Sequence, residues 1–365
     1  MAHFDLADPG PLGVPLMPPA ATIADALSAG ALSVGATLHR AIAMPLLGAA
    51  LLSALALPTV AIAADAQGLV DALKTAAGKP PGVRATFAKG QCVRGTYTPS
   101  ADGSAVTRSI SFTRPWPLIG RFSVGGGNPA VPDTAKTVLR GFSIKILSGG
   151  DETHLLFENA PVHFARTLDQ MLDFLQVRAP GTDGKPNQEA IAAFAKANPE
   201  TTRQAAFVAG RPLPGSYAGI VYWGVHTFTG VNAAGQTVPF KFRIVPEAGE
   251  IALSDEEAKG KPSQFLNADL TDRLSRGSVR FDVMAMLAEA DDDLAADITL
   301  RWKNEDDRKA VRLGTIAVTA LEPNETCNDG IFDPGQLADG IEAPKDEIFT
   351  ARRTAYGISF GLRAK

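Results

Sequence analysis

The stretch GVHTFTGVNAAGQTVPFKFRIV, residues 224–245, decides the fold class. Its two halves are rich in β-branched and aromatic residues, and the turn NAAG separates them at residues 232–235. Strand-forming runs on both sides of a short glycine-containing turn are typical of a β-hairpin. We therefore expect two antiparallel strands here, with the chain reversing at the NAAG turn.

Similar short runs, broken by Gly, Pro and Asn, recur on both sides of this hairpin. They are CVRGTYTPS (92–100), SISFTRPW (109–116), RFSVGGG (121–127), FSIKIL (142–147), SVRFDVMAML (278–287), ADITLRW (296–302) and VRLGTIAVTAL (311–321). Regularly spaced antiparallel strands favour a closed barrel, which has no exposed edges and can hold a ligand.

Helical spacing marks three regions, residues 65–78, 166–210 and 346–363, and Asp346 is a suitable N-cap for the last of them. Because no helix alternates strictly with the strands, a doubly wound sheet is disfavoured. The sequence therefore predicts an α+β protein: a closed antiparallel barrel with helical insertions and a C-terminal helix.

Composition limits the classes of function. The chain has 365 residues, 45% of them hydrophobic and 20% charged, with a net charge of −4. These values indicate a globular protein and give no basic footprint for nucleic acid. We interpret the acidic run Asp291–Asp293 as a solvated turn and not a metal site. With Cys92 and Cys327 as the two cysteines, one disulfide is compatible with an oxidising compartment, and the sequence leaves their pairing open.

The N-terminal part resembles an export signal. Residues 44–64 carry no charge and end in the small-residue pattern Ala61-Ile62-Ala63, which suits cleavage by signal peptidase. The alternative is a membrane anchor, because the run is just long enough to span a bilayer. We expect residues 1–63 to form an extension and leader, and residues 64–365 a single domain, periplasmic or anchored facing the periplasm.

Tyr356 lies one helical turn after Arg352, so the two side chains should share a face of the last helix. A phenolate is a hard anionic donor suited to ferric iron, and a neighbouring guanidinium stabilises such an anion. Arg363 returns to the same side of the helix. Taken alone, an Arg/Tyr pair at this spacing is more often surface packing or a cation–π contact.

Several blocks of the chain, in the same order, resemble the catalases and more closely the short catalase-related peroxidases. They are GVRATFAKG (82–90), RFSVGGGNPAVPDTAKTVLRGFSIK (121–145), NAPVHFA (159–165), YWGVHTFTGVNAAGQTVPFKFRIV (222–245), FDPGQLADGIEAPKDEIFTAR (332–352) and AYGISF (355–360). The resemblance covers roughly residues 66–365. It implies a catalase-type barrel with one buried haem b (heme b), and a homodimer as the assembly.

The resemblance also implies roles for single residues. Tyr356 occupies the position of the iron ligand, Arg352 that of its partner, and Ser123 that of the distal serine after Arg-Phe. The arginines that it places towards the haem propionates are Arg84, Arg121 and Arg363.

One position departs from the family pattern. The family has a distal histidine in the motif R-x-x-H-A-K-G, and this chain has Phe87 in that frame. Phenylalanine cannot exchange a proton, and general acid–base assistance is typically worth about 10²–10⁴ in rate. Counting back from Pro161, the distal asparagine of the large catalases falls on Glu158, with Asn159 beside it, and both are candidate catalytic residues. A carboxylate at Glu158 would serve as a general base; the alternative is an ordinary polar residue at a strand end. We read His226 as a structural strand residue and His163 as a satisfied barrel histidine.

Three functions follow from these observations. The first is an exported haem peroxidase that reduces hydrogen peroxide or an organic peroxide with electrons from a small organic donor, with little catalase activity. The second is a haem-binding protein without peroxidase chemistry, which Phe87 favours. The third keeps the barrel without the haem, as a lipocalin-like binder of another apolar ligand.

Overall fold

The computed structural model of the chain describes residues 64–294 and 297–363. The predicted extension and leader, residues 1–63, lie outside this part, as do His3 and His39. Within the two described ranges, no helix is both long enough and apolar enough to cross a bilayer.

Antiparallel strands close into a barrel. The strands are β1 Lys89–Pro99, β2 Trp116–Val124, β3 Arg140–Ile146, β4 Thr153–Glu158, β5 Leu213–Pro214, β6 Tyr222–Trp223, β7 Phe228–Val231, β8 Thr237–Pro246, β9 Ala252–Leu253, β10 Val279–Leu287, β11 Ala310–Leu321 and β12 Ile341–Glu342. The ring runs β10-β11-β1-β2-β3-β4-β6-β8 and closes where β8 pairs with β10. The predicted barrel is therefore confirmed.

The hairpin predicted from residues 224–245 is formed by β7 and β8. Gly235 has a φ of 78° in the left-handed region, which glycine adopts at little cost. The Asn232 side chain accepts hydrogen bonds from the N–H groups of Ala234 (3.0 Å) and Gln236 (2.9 Å), which hold the turn. β12 pairs with the outer edge of β7.

Helices cover the barrel. They are α1 Ala66–Ala76, α2 Ile110–Thr113, α3 Leu168–Gln176, α4 Gln188–Ala197, α5 Arg203–Ala209, α6 Asp255–Lys259, α7 Phe265–Arg276, α8 Asn324–Asn328 and α9 Glu347–Arg363. The Asn187 side chain caps α4, and the Asp346 carboxylate accepts from the N–H of Phe349 at 2.8 Å to cap α9. Pro199 separates α4 from α5 because proline cannot supply the next helical N–H.

The strand predicted for SISFTRPW is wrong over residues 110–113, which form α2. The strand predicted for ADITLRW is also wrong over its described residues, 297–302. In this segment the Asp297 carboxylate accepts from the N–H and the hydroxyl of Thr299, and the Glu305 carboxylate accepts from the N–H of Trp302 at 3.0 Å. Side chains thus satisfy backbone groups that a strand would offer to a neighbour, and residues 298–300 form turns and bends.

The acidic run Asp291–Asp293 is not simply a solvated turn. The Asp292 side chain is only 5% exposed and forms an ion pair with Arg308. Among the described residues, no cluster of three or more His, Cys, Asp or Glu side chains could hold a metal ion. Asp292 therefore serves a local ion pair at the end of the barrel.

Alternation along the strands separates an inner from an outer barrel face. Phe122 and Phe142 point inward and stack with ring centroids 4.3 Å apart in the main core. Their neighbours Arg121, Ser123 and Gly141 must point outward, because successive side chains lie on opposite faces of a strand. These outward residues are nevertheless largely buried, so other segments cover this part of the outer face.

A disulfide fixes one of the covering segments. Cys92 on the outer face of β1 is bonded to Cys327 in α8, and both pack with Phe332 in a second small core. The N–H of Cys92 also donates to the Asn324 side chain at 2.9 Å. The segment around α8 is thereby attached to the barrel wall beside Arg121, the residue opposite Cys92 in the ladder.

Loss of this disulfide should destabilise the protein. The bond joins residues 235 positions apart, and a native disulfide of this kind typically contributes about 2–5 kcal/mol. We expect Cys92→Ala with Cys327→Ala to lower the free energy of unfolding by that amount in urea titrations of the haem-free protein. Reduced wild type is the matched control, since the chain has no other cysteine. Equal midpoints for oxidised wild type and the variant would contradict the prediction.

Candidate active site

A chain of four polar side chains starts at the N-cap of α9 and ends at Tyr356. The Asp346 carboxylate lies 2.9 Å from Nδ1 of His226, and Nε2 of His226 lies 2.9 Å from Nη1 of Arg352. Nη2 of Arg352 donates to the Tyr356 hydroxyl oxygen at 3.2 Å. Since arginine can only donate, Nε2 of His226 accepts, and its Nδ1–H donates to Asp346.

The electrostatics of these four hydrogen-bonded side chains keep the Arg352 guanidinium charged and the His226 imidazole neutral. Burial lowers the pKa of His226, against the hydrogen bond that its Nδ1–H donates to Asp346, which raises it. Burial also acts to lower the pKa of Arg352, yet Tyr356 and two carboxylates outweigh it, so this pKa lies above its ordinary value. A fixed positive charge therefore faces the Tyr356 oxygen, which is the arrangement that stabilises a phenolate ligand.

Three further arginines converge near Tyr356 from distant parts of the chain. Nη2 of Arg84 donates to the Cys327 carbonyl at 2.7 Å, and Nη2 of Arg363 donates to the Gly330 carbonyl at 2.6 Å. The Arg121 guanidinium donates to the carbonyls of Phe87 (3.0 Å) and Ala88 (3.1 Å). All three guanidiniums are thus held by backbone carbonyls, which orient them without neutralising them.

The arginine cluster consists of Arg84, Arg121 and Arg363. None of these three residues takes part in an ion pair within the described residues. Burial, followed by Arg121 and Arg363, lowers the pKa of Arg84 to about 9, and burial lowers that of Arg121 to about 10. Nε of Arg84 and Nε of Arg363 are buried, and neither has a hydrogen-bond partner among the described residues. Such a site fits an anion with several carboxylate oxygens.

A row of paired residues crosses the outer barrel face in front of α9. Gly90 is opposite Ser123, Ser123 is opposite Gly141, Gly141 is opposite Glu158, and Glu158 is opposite Trp223. Paired residues of an antiparallel ladder share a face. Small residues occupy the middle of the row, so no large side chain projects from this part of the outer face. Glu158 lies next to it.

The Phe87 ring covers the small residues of this row. Its ring carbons lie 3.1 Å from the point that a Cβ on Gly141 would occupy, so the glycine makes room for the ring. Phe87 has a φ of 51°, in the left-handed region that bulky residues rarely adopt. The N–H of Ala85 donates to the Ser359 hydroxyl of α9 at 3.2 Å, which attaches the segment 84–88 to the helix of Tyr356.

Glu158 and Asn159 have different surroundings. Nε2 of Gln204 lies 3.3 Å from the Glu158 carboxylate, and burial raises the pKa of Glu158 although Arg352 opposes the shift. The Asn159 carbonyl oxygen instead accepts from the N–H of Arg140 at 2.7 Å. We therefore assign Asn159 to holding β3 against β4.

The remaining histidines are engaged elsewhere. Nδ1 of His163 contacts the backbone of Ala165, and burial lowers the pKa of His163 to about 3, so it is neutral. It lies in a loop, whereas the sequence suggested a barrel position. Nδ1 of His154 accepts from the N–H of Asp333 at 3.1 Å, and its Nε2 faces Glu152.

Sequence reasoning missed two residues of the site. His226 was interpreted as a structural strand residue, and Asp346 only as a helix cap. Asp346 caps α9 with Oδ1 and contacts His226 with Oδ2. The 120 positions between them explain the failure, because nothing in either local pattern indicates that they meet.

The fold and these side chains define a class: closed antiparallel barrels with an arginine-supported tyrosine facing the outer wall. A family model described as Catalase matches residues 68–361. The catalase-related peroxidase of Synechococcus elongatus is 31% identical over 325 residues, which is 87% of this chain and 95% of that protein. The one of Mycolicibacterium paratuberculosis is also 31% identical, over 80% of this chain and 93% of its own length.

Solved structures agree on the fold. Catalase A from Saccharomyces cerevisiae has a TM-score of 0.70 at 20% identity, and a bacterial catalase has 0.69 at 22%. The matches cover 81% and 84% of this chain, which spans 64% of the length of each of those structures. The chain belongs to the catalase family.

Proteins of this family bind haem, and the residues of this chain fit that group. Haem carries two propionates, and the arginine cluster supplies buried cationic donors without a protein anion. A planar ligand also needs a surface without large side chains, and Ser123 and Gly141 form such a surface on the outer barrel face.

Proposed function

We propose that this chain is a haem b-dependent peroxidase that acts on hydrogen peroxide or organic peroxides with a small organic electron donor. The observation that carries the proposal is the Tyr356 oxygen in contact with a charged Arg352, beside an arginine cluster that lacks a protein anion. Membership of the catalase family and the peroxidase names of its relatives support the reaction type.

Each residue then has a defined task. Tyr356 would hold the iron through its phenolic oxygen, and Arg352 would orient that oxygen through the hydrogen bond that it donates. The arginine cluster would bind the two propionates. When bound, the haem supplies the redox chemistry of peroxide reduction. Phe87 packs against Gly141 and cannot exchange a proton, so strong catalase turnover is not expected.

An absorption spectrum before and after addition of peroxide tests the proposal. Haem-loaded protein should show a ferric spectrum of a tyrosinate-bound haem, and peroxide should change it. A dye donor should then restore the first spectrum while the dye is oxidised. Protein that stays colourless after incubation with haem would contradict the proposal.

A second function is favoured by one observation, the phenylalanine at the distal histidine position. Without that acid–base group the chain would bind haem without peroxidase chemistry, as a carrier or sensor. The same spectra separate the two functions, because the non-catalytic protein keeps its ferric spectrum when peroxide is added.

We also propose that the chain is exported and that its mature form begins near residue 64. The apolar run before Ala64 supports export, and the Cys92–Cys327 disulfide suits an oxidising compartment. Mass spectrometry of the periplasmic protein should find an N-terminus at residue 64 or close to it, whereas an intact N-terminus in the membrane fraction would indicate an anchor.

The arginine cluster makes a prediction about haem affinity. Arg84→Leu should weaken haem binding about 10- to 100-fold, the loss expected for one charge-assisted hydrogen bond. Haem dimethyl ester lacks the carboxylates, so wild type and variant should bind the ester with similar affinity. The exposed Arg94, which pairs with Glu322, provides the matched control Arg94→Leu. Equal losses for haem and its ester would show that Arg84 does not bind propionate.

A further inference from the structure

Glu158 lies beside the phenylalanine that replaces the distal histidine. In the ladder it is directly opposite Gly141, and the Phe87 ring rests against Gly141. Opposite residues of such a ladder have Cβ positions about 5 Å apart on one face. The Glu158 side chain is therefore one strand away from the Phe87 ring, on the same outer face of the barrel.

The Glu158 carboxylate is held in place by a neutral side-chain amide. Gln204 of α5 donates through Nε2 to both the Glu158 carboxylate (3.3 Å) and the Val162 carbonyl (2.9 Å). No ion pair of the described residues includes Glu158. A carboxylate held by a neutral amide keeps a free oxygen for another partner.

We propose that Glu158 is the proton acceptor and donor for peroxide in this chain, and that Gln204 is its positioning residue. This inference rests on the proposed peroxidase function. Glu158 takes the proton from the peroxide oxygen nearer the cofactor and delivers it to the other oxygen as the O–O bond breaks. The departing group leaves as water from hydrogen peroxide, or as an alcohol from an organic peroxide. The two electrons that the cleavage consumes come from the bound cofactor, and the organic donor restores them.

The substitution Glu158→Gln keeps the shape of the side chain and removes the proton acceptor. Hydrogen cyanide must lose its proton to bind ferric haem as cyanide, whereas imidazole binds as a neutral molecule. We expect the variant to lose about 100-fold or more in the association rate with hydrogen cyanide, and similarly with hydrogen peroxide, as general base catalysis predicts. Imidazole binding should be unchanged.

Two further variants complete the experiment. Glu189→Gln, at an exposed position of α4, should behave as wild type in every assay. Gln204→Met should slow cyanide association about 10-fold, because residues that orient a functional group typically contribute 10- to 100-fold, and should leave imidazole binding unchanged.

The outcomes separate the inference from the function on which it rests. Equal cyanide association in wild type and Glu158→Gln would overturn the role of Glu158 and leave haem binding standing. Parallel losses for cyanide and imidazole would assign Glu158 a structural role only. Wild type that takes up no haem would overturn both.

Discussion

Replacement of Phe87 with histidine should raise the rate of peroxide reduction by at least about tenfold, because the imidazole would add a proton acceptor and donor to the carboxylate of Glu158. The new imidazole would occupy the space over Gly141 that the phenyl ring now fills. The backbone should accept the change, since Phe87 has a φ of 51° and histidine is enriched in this region compared with bulky apolar residues. Stopped-flow mixing of haem-loaded protein with hydrogen peroxide measures the rate.

Phe87→Leu is the control for this gain, because it changes the packing over Gly141 without adding a proton acceptor. It should not accelerate the reaction. A wild type that is already fast, together with a histidine variant that is no faster, would show that Phe87 does not limit proton transfer. In that case Glu158 would be the main proton acceptor. Adding Glu158→Gln to the Phe87→His variant would then test whether the new imidazole can replace it, since the rate would stay high only if it does.

Tyr356→Phe should abolish the ferric tyrosinate spectrum and lower peroxidase activity at least about 100-fold, more than is usual for residues that only support a ligand. The substitution removes a single oxygen, the one that Arg352 contacts at 3.2 Å. Arg352 would then have a charge without its anionic partner at the end of the Asp346–His226 chain. Haem affinity should fall together with the spectrum, and titration of the haem-free protein measures it.

The matched control is Tyr217→Phe, since the Tyr217 hydroxyl is buried without a hydrogen-bond partner among the described residues. That variant should keep the wild-type spectrum. Urea unfolding of the haem-free Tyr356→Phe protein should give a midpoint near that of wild type, because Tyr356 is only half-buried. An unchanged spectrum in this variant would show that another group binds the iron.

Local patterns were sufficient for the architecture. Residues 224–245 carried both the alternation and the turn, and the structure forms β7 and β8 there. The cap at Asp346 was recognised because its side chain bonds to an amide only three residues away. Predictions failed at SISFTRPW, where residues 110–113 form α2. They also failed at ADITLRW, where the carboxylate of Glu305, outside the quoted segment, accepts from the N–H of Trp302.

The sequence alone determined the barrel and the last helix with Arg352 and Tyr356 one turn apart, and a short motif predicted that Phe87 takes the distal position. All of these are local, since they depend on strand alternation, helical period or a short motif. Only the tertiary structure decided that Arg84, Arg121 and Arg363 converge without a protein anion, that His226 joins Asp346 to Arg352, and that Glu158 stands opposite Gly141. The physical reason is that strand register and helix docking set these contacts, and they bring together residues that are up to 279 positions apart (Arg84 to Arg363).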